Sequence, residues 1–306
     1  MIKILKFSNG SGYNKLTNFL DQRRDSNNTD VDLVNKIIND VKKNKLKALK
    51  KYEKKYSKNK EIKLSKKKIN NSIKYLDQNV KKAIDYAYER IFKFHKLQIK
   101  NFKKIKFVDK YKNKLEYKSI PIDSVGVYVP GNLPSTLLMN CIPAKIAGVR
   151  RIILATPKIN NTLNPAVLYA AKILGIKEIF SMGGAQAIAS LAFIHKVNKV
   201  VGPGNKYVAE AKRQLSGKII GTETMYAGAS EICVLADKDS DISQVATSLV
   251  SQAEHDPDSQ CILVTNDKNL IKKTLIEVKK ILSDLPRKII ASRSLKKKWI
   301  ICTSKE

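Results

Sequence analysis

Gln252 and His255 stand three residues apart in "SLVSQAEHDPDSQCILVT", at the end of an apolar run, in a chain of 306 residues with only three histidines. On a helix they fall about 60° apart, so an amide oxygen and an imidazole nitrogen can face one point. That spacing leaves a proton shuttle, part of a zinc site and ordinary packing all open. His95, in a helical pattern, and His195, in a turn, have no metal-pair spacing with either residue. The element that must hold the pair is a helix capped by Ser240 or Asp241. Its apolar stripe is Ile242, Val245, Ala246, Leu249, Val250 and Ala253. Gln252 and His255 share one flank of that stripe and Glu254 lies on the other.

Upstream, helical periodicity covers 31–56 and 78–104. After Pro121 the period changes. The short runs "VGVYV", "RIILAT", "EIFSM", "KVVG", "ICVLA" and "CILVT" alternate with helical patterns beginning near 135, 165, 185, 205 and 241, which predicts parallel βαβ units. A last strand, "WIICT", occupies 299–303, and a sheet ending there looks unfinished. Ligands of open α/β sheets sit at the carboxyl ends of strands. Three glycine turns stand there: "VYVPGN" with Gly131, "SMGGAQAIASLAF" with Gly183 and Gly184, and "VVGPGNKYVAEAKRQ" with Gly202, Gly204 and Asn205. The second opens a helix whose N–H groups could receive an anion. None has the G-x-G-x-x-G spacing, so each alone also fits ordinary turn chemistry.

The net charge of +32 raises the question of nucleic acid. Its distribution argues against it, because 34 of the 59 basic residues lie in 1–120 while 121–265 carries 13 basic and 11 acidic groups. Most of the excess is lysine among asparagine and isoleucine, the pattern of a solvated helical surface. No apolar run approaches the length of a membrane span and no secretory leader is evident, so a cytoplasmic protein is expected. Cys141, Cys233, Cys261 and Cys302 are widely spaced in apolar contexts and are expected to be reduced core thiols.

"VGVYVPG", "PSTLLMNCIPAKIAGV", "MGGAQAIASLAF", "VVGPGNKYVAEAKRQ", "AGASEICVLAD" and "SLVSQAEHDPDSQCILVT" together resemble histidinol dehydrogenase in order and wording. The likeness extends from "FLDQRR" and "YERIFKFHKLQ" to "WIICTSKE", nearly the whole chain. It implies an α/β fold of two Rossmann-like lobes with parallel sheets and a helical N-terminal segment, an aldehyde-dehydrogenase-like arrangement. Residues 1–121 would be the helical part of the first lobe, 122–238 an inserted NAD-binding lobe, and 239–306 the rest of the first lobe with the zinc-ligand helix. The implied reaction is zinc-dependent, NAD-linked oxidation of L-histidinol through the aldehyde to L-histidine, with two hydride transfers and one water addition. By the same resemblance Gln252 and His255 bind zinc and substrate, Ser230 contacts substrate, and Tyr128, Gln186 and Asn205 contact NAD. A homodimer is implied as well.

The departures from the family pattern are specific. Its Glu-His acid–base pair, and the aspartate and second histidine completing the zinc shell, have no counterpart in these 306 residues. No catalytic acid–base residue is therefore assigned. Weak metal binding and little turnover are expected, since each proton transfer contributes about 10²–10⁴-fold. The loop after Gly131-Asn132 and the link between "LAF" and "KVNKVVGPGN" are shortened, and Thr224 and Ala229 replace an aspartate and a proline. A catalytically silent remnant or fragment of that enzyme and, against the charge distribution, a basic nucleic-acid-binding protein are the competing readings.

Overall fold

The computed structural model describes residues 3–6, 11–24, 30–99, 104–159, 161–223 and 231–303. They divide into two compact units, one of 29–227 and one joining 1–28 to 228–306. β1 (Lys3–Lys6) and α1 (Ser11–Arg24) come first and belong to the discontinuous unit.

The 29–227 unit opens with α2 (Val31–Ser57), where the Asp30 carboxylate accepts from Leu33 N at 2.9 Å. Val34, Ile37, Ile38 and Val41, then Ala48, Leu49 and Tyr52, repeat at helical spacing and are buried. Between the two sets α2 kinks at Lys45, whose φ of 47° and ψ of −126° suit the first central residue of a type II′ turn, usually a glycine place. α3 (Lys66–Lys74) and α4 (Gln78–Gln98) follow, capped by Ser65 and Asp77. β2 (Ile105–Val108) and β3 (Lys114–Tyr117) then form an antiparallel hairpin exposed along both strands.

From here strands and helices alternate: β4 (Ser124–Tyr128), α5 (Pro134–Ile146), β5 (Arg151–Thr156), α6 (Pro165–Ile173), β6 (Glu178–Ser181), α7 (Gly184–Phe193), β7 (Lys199–Val201), α8 (Lys206–Leu215) and β8 (Gly221–Thr222). All five strands are parallel, in the order β6-β5-β4-β7-β8. The alternation of side chains sends Ile153, Ala155 and Phe180 to one face, under α2, α7 and α8. Val125, Val127, Leu154 and Ile179 go to the other, against α3, α4, α5 and α6. Gly126 lets α7 settle onto β4, since a Cβ there would lie 2.9 Å from the Leu191 methyls.

In the discontinuous unit, β9 (Glu231–Ala236), α9 (Ile242–Ala253), β10 (Gln260–Thr265), α10 (Lys268–Asp284), α11 (Lys288–Lys298) and β11 (Trp299–Thr303) follow in order. They join β1 in a parallel sheet ordered β1-β11-β10-β9. The helices bury Val245, Leu249, Cys261, Leu263, Leu270, Val278, Ala291 and Leu295 in one core. The alternate β9 residues Glu231, Cys233 and Leu235 are exposed.

Three expectations are corrected here. The helices of 31–98 belong with the glycine-turn sheet and not with 239–306, because the α2 stripe packs on Ala185, Ile188, Leu191 and Ala192 of α7. The 299–303 strand does not end its sheet, since β1 covers its far edge, with Leu5 opposite Cys302. Cys141 and Cys261 are buried thiols, but Cys233 is exposed on β9; the Cys302 side chain lies outside the described residues.

Lys45 gives a direct check on the kink. Lys45→Gly is expected to be more stable than Lys45→Ala by about 1 kcal/mol, the reverse of helix propensity, because only glycine takes that backbone without strain. Chemical denaturation of the two variants measures it; an alanine advantage would mean that α2 runs straight.

Candidate functional site

The parallel order turns back between β4 and β7, where neighbouring strands send their chains to opposite sides. The crevice beyond their carboxyl ends is the usual ligand place of such sheets. β4 ends in Tyr128, and β7 runs into the turn Gly202–Asn205 before α8. The two ends touch closely. Gly202 has φ +104°, and a Cβ on it would stand 2.0 Å from the Tyr128 carbonyl oxygen. Gly131 likewise makes room for protein, since its Cβ would meet Pro157 O at 2.6 Å.

Lys212 fixes the β7 turn from below. It lies on the buried stripe Val208, Ala211, Lys212 and Leu215, and its Nζ donates to the Gly202 carbonyl and to Glu223 Oε1. Burial pushes the Lys212 ammonium below its ordinary pKa, and the Glu223 carboxylate opposes the shift. Asn205 caps α8, its side-chain oxygen accepting from Tyr207 N and Val208 N at 3.2 Å each. Its side chain is exposed, and the cap uses the oxygen alone.

The β6–α7 turn departs from expectation more sharply. Two of the N–H groups that could meet an outside anion, those of the paired glycines, already have acceptors within the protein. Gly183 N donates to Glu53 Oε1 at 2.9 Å, and Gly184 N to the Tyr128 hydroxyl at 3.4 Å. Gln186 Nε2 also donates to Glu53 Oε1, at 2.9 Å. Glu53 is 1% exposed, and its Oε2 has no hydrogen-bond partner among the described residues. Burial raises the Glu53 carboxyl pKa, while the Gly183 and Gln186 N–H groups pull it back. Burial likewise lifts the Tyr128 phenol to about 12. Beside this group Asn59 Nδ2 donates to Ser181 O at 2.7 Å and to Ser181 Oγ at 3.0 Å, tying the end of α2 to β6. Tyr128 and Gln186 thus meet at one turn, and both are buried. Glu53 and Lys212 were not among the sequence candidates. Their signal was present: each is a charged residue in register with an apolar stripe, Glu53 four places after Leu49 and Lys212 four after Val208.

In the other unit Asp241 is the cap of α9, accepting from Gln244 N at 2.9 Å, while the Ser240 hydroxyl donates to Asp237. The helix ends at Ala253, so His255 is not on its last turn; Glu254 is the C-cap. Pro257 disfavours helix at the residue before it, and 256–259 turns instead, with Ser259 N donating to Asp256 O. His255 N still reaches Gln252 O at 3.2 Å, and Arg287 donates to the His255 carbonyl at 3.3 Å. The imidazole is exposed. Gln252 is half-buried, and its Nε2 is sealed from solvent with no partner among the described residues. An amide oxygen and an imidazole suit zinc in kind. They fall short in number, for no three His, Cys, Asp or Glu side chains gather into a metal cluster among the described residues. Ser230, Thr224 and Ala229 lie outside those residues.

Two variants test this geometry. Gly202→Ala should cost about 3 kcal/mol or more, since neither its backbone angle nor the Tyr128 carbonyl leaves room; unfolding at wild-type denaturant concentration would refute the close approach. The raised Glu53 pKa predicts a sign. Protonation favours the folded state, so this group's contribution is complete below pH 4.5 and is lost as pH rises through the folded value. Glu53→Gln lacks that loss, and its stability relative to wild type should therefore rise from pH 4.5 upward in parallel melts. A constant or falling difference would mean that the carboxyl is not desolvated.

A family model described as histidinol dehydrogenase matches residues 20–306. The chain is 50% identical to the histidinol dehydrogenase of Pelagibacter ubique (strain HTCC1062) over 302 residues, 96% of this chain and 70% of that one. It is 45% identical to histidinol dehydrogenase 1 of Nostoc sp. over 222 residues, 70% of this chain and 51% of that protein. The crystal structure of histidinol dehydrogenase from Elizabethkingia anophelis superposes with a TM-score of 0.83 at 34% identity, covering 98% of this chain and 70% of that one. With a family match across nearly its whole length and a fold shared with a solved member, the chain belongs to the histidinol dehydrogenase family.

Proposed function

We propose that this chain takes part in the zinc-dependent, NAD-linked oxidation of L-histidinol to L-histidine. The strand order β6-β5-β4-β7-β8 carries the reading, because its reversal gives the 29–227 unit the crevice that doubly wound sheets use for dinucleotides. Tyr128 ends one strand at that reversal and Asn205 opens the helix after the other.

In this reading Tyr128, Gln186 and Asn205 contact NAD, and Gln252, His255 and Ser230 receive the substrate, the first two also holding zinc. When bound, NAD supplies the hydride acceptor and zinc a Lewis-acidic anchor for the substrate's nitrogen donors. The residues of this chain bind and orient. Asn205, exposed and already anchored by its oxygen, offers its amide nitrogen as donor. The unpaired Gln252 nitrogen costs about 1–3 kcal/mol where it stands, a cost that ligation through the amide oxygen would justify. Assembly as a homodimer belongs to the same proposal and is supported by the uncovered apolar residues of the hairpin, among them Phe107, 56% exposed, and Leu115, 59% exposed. A cytoplasmic place belongs to the same proposal; among the described residues no helix is long and apolar enough to cross a membrane.

Titration of NADH fluorescence tests the dinucleotide crevice, and an unchanged signal on adding the protein would overturn it. Zinc uptake by equilibrium dialysis tests the other half. Wild type should bind zinc more weakly than a four-ligand shell and His255→Ala should bind none, because affinity falls with each lost ligand. Equal uptake by the two proteins would leave Gln252 and His255 as packing residues.

A further inference from the structure

We propose that Glu53 is a positioning residue for the dinucleotide: by holding the Gln186 carboxamide through its nitrogen, it turns the amide oxygen away from the carboxylate, to accept from a hydroxyl or amine of the cofactor, and bars phosphate from the two glycine N–H groups of the β6–α7 turn. The proposal rests on the dinucleotide reading of the 29–227 unit and adds the chemistry of what this turn can bind.

A glutamine amide can face either way, and its neighbours decide. Here the neighbour is the Glu53 carboxylate, whose Oε1 lies 2.9 Å from Gln186 Nε2 and 2.9 Å from Gly183 N. A carboxylate only accepts, so the amide must present its nitrogen to Glu53 and its oxygen elsewhere. That oxygen lies over Gly184, 2.9 Å from the place a Cβ would occupy there, and Gly184 with φ +62° leaves it the space. Glu53 cannot readily swing away, being 1% exposed on a helix whose end is tied to β6 through Asn59 and Ser181.

The same carboxylate decides what the turn refuses. Glycine turns from strand to helix commonly receive phosphate on their free N–H groups. In this turn Gly183 N is committed to Glu53 and Gly184 N to the Tyr128 hydroxyl. A phosphate brought there would lose those donors and meet a buried carboxylate. The remaining ligand class is a hydrogen-bond donor, which a ribose hydroxyl or a base amine supplies and a pyrophosphate does not.

NADH affinity of wild type, Glu53→Gln, Gln186→Ala and the double variant tests the coupling, with thermal melts run on each. Gln186→Ala should weaken binding about tenfold, Glu53→Gln by a similar factor, and the double variant no further than either single one, because one residue acts through the other. A purely structural Glu53 would lower the melting temperature without that non-additivity. The side-chain amide resonances of Gln186, assigned by their loss in Gln186→Ala, give a second readout on wild type alone should Glu53→Gln fail to fold. NADH should move them in wild type and leave them in place in Glu53→Gln. Additive losses, unchanged affinity in Glu53→Gln, or wild-type Gln186 resonances that ignore bound NADH would each overturn the proposal while the dinucleotide reading stands. A wild-type protein that binds no NADH would overturn both.

Discussion

A carboxylate shut away from water has to be met by donors that stay in place, and Glu53 imposes that condition on everything around it. Its Oε1 accepts from the Gly183 N–H at the cap of α7 and from the amide of Gln186 in the first turn of that helix, which ties the register of α2 to that of α7. Free energy lost by desolvating the charge is recovered partly from the helix terminus, whose unpaired N–H groups favour an anion. The apolar α2–α7 contact could tolerate some sliding by itself. With the carboxylate included, sliding by one residue would leave a charge with no partner.

The crevice beyond β4 and β7 shows a second tight constraint, made of backbone rather than charge. Gly202 lies against the Tyr128 carbonyl, and buried Lys212 donates to the Gly202 carbonyl. The turn is thereby gripped between strand and helix, and Asn205 at its end starts α8 from a fixed point. Rigid turns of this kind present side chains with little entropy left to lose on binding.

Much of this was legible in the sequence. "RIILAT" is β5 residue for residue, and α6 begins at Pro165 where the pattern placed it, because parallel strands buried on both faces read as continuous apolar runs bounded by Pro and Gly. What periodicity does not encode is the partner of a stripe. The α2 residues Val34 to Leu49 announce a buried face without saying which sheet it covers, and only the fold places 31–98 in the 29–227 unit. β1 escaped because "KILK" is too short to stand out, and only its pairing with β11 makes it a strand. The site followed the same rule. Motif wording points to Tyr128, Gln186 and Asn205 as candidates, whereas Glu53, remote in sequence from Gly183, is joined to it only by the fold. Its misplaced charge within an apolar stripe was the visible clue.

The pairing of β1 with β11 has a bearing on how the chain comes together as it is synthesised. Residues 29–227 hold every strand of their own sheet, so that unit has all its partners once they have emerged. The other sheet joins Leu5 to Cys302, a contact of very high order that must wait for the last strand. Until then the β10 edge that will face β11 offers unpaired backbone on "QCILVT", an uncharged β-branched segment open to a neighbouring nascent chain. The lysine-rich stretches that follow it in the sequence carry like charges, whose repulsion between molecules works against such pairing.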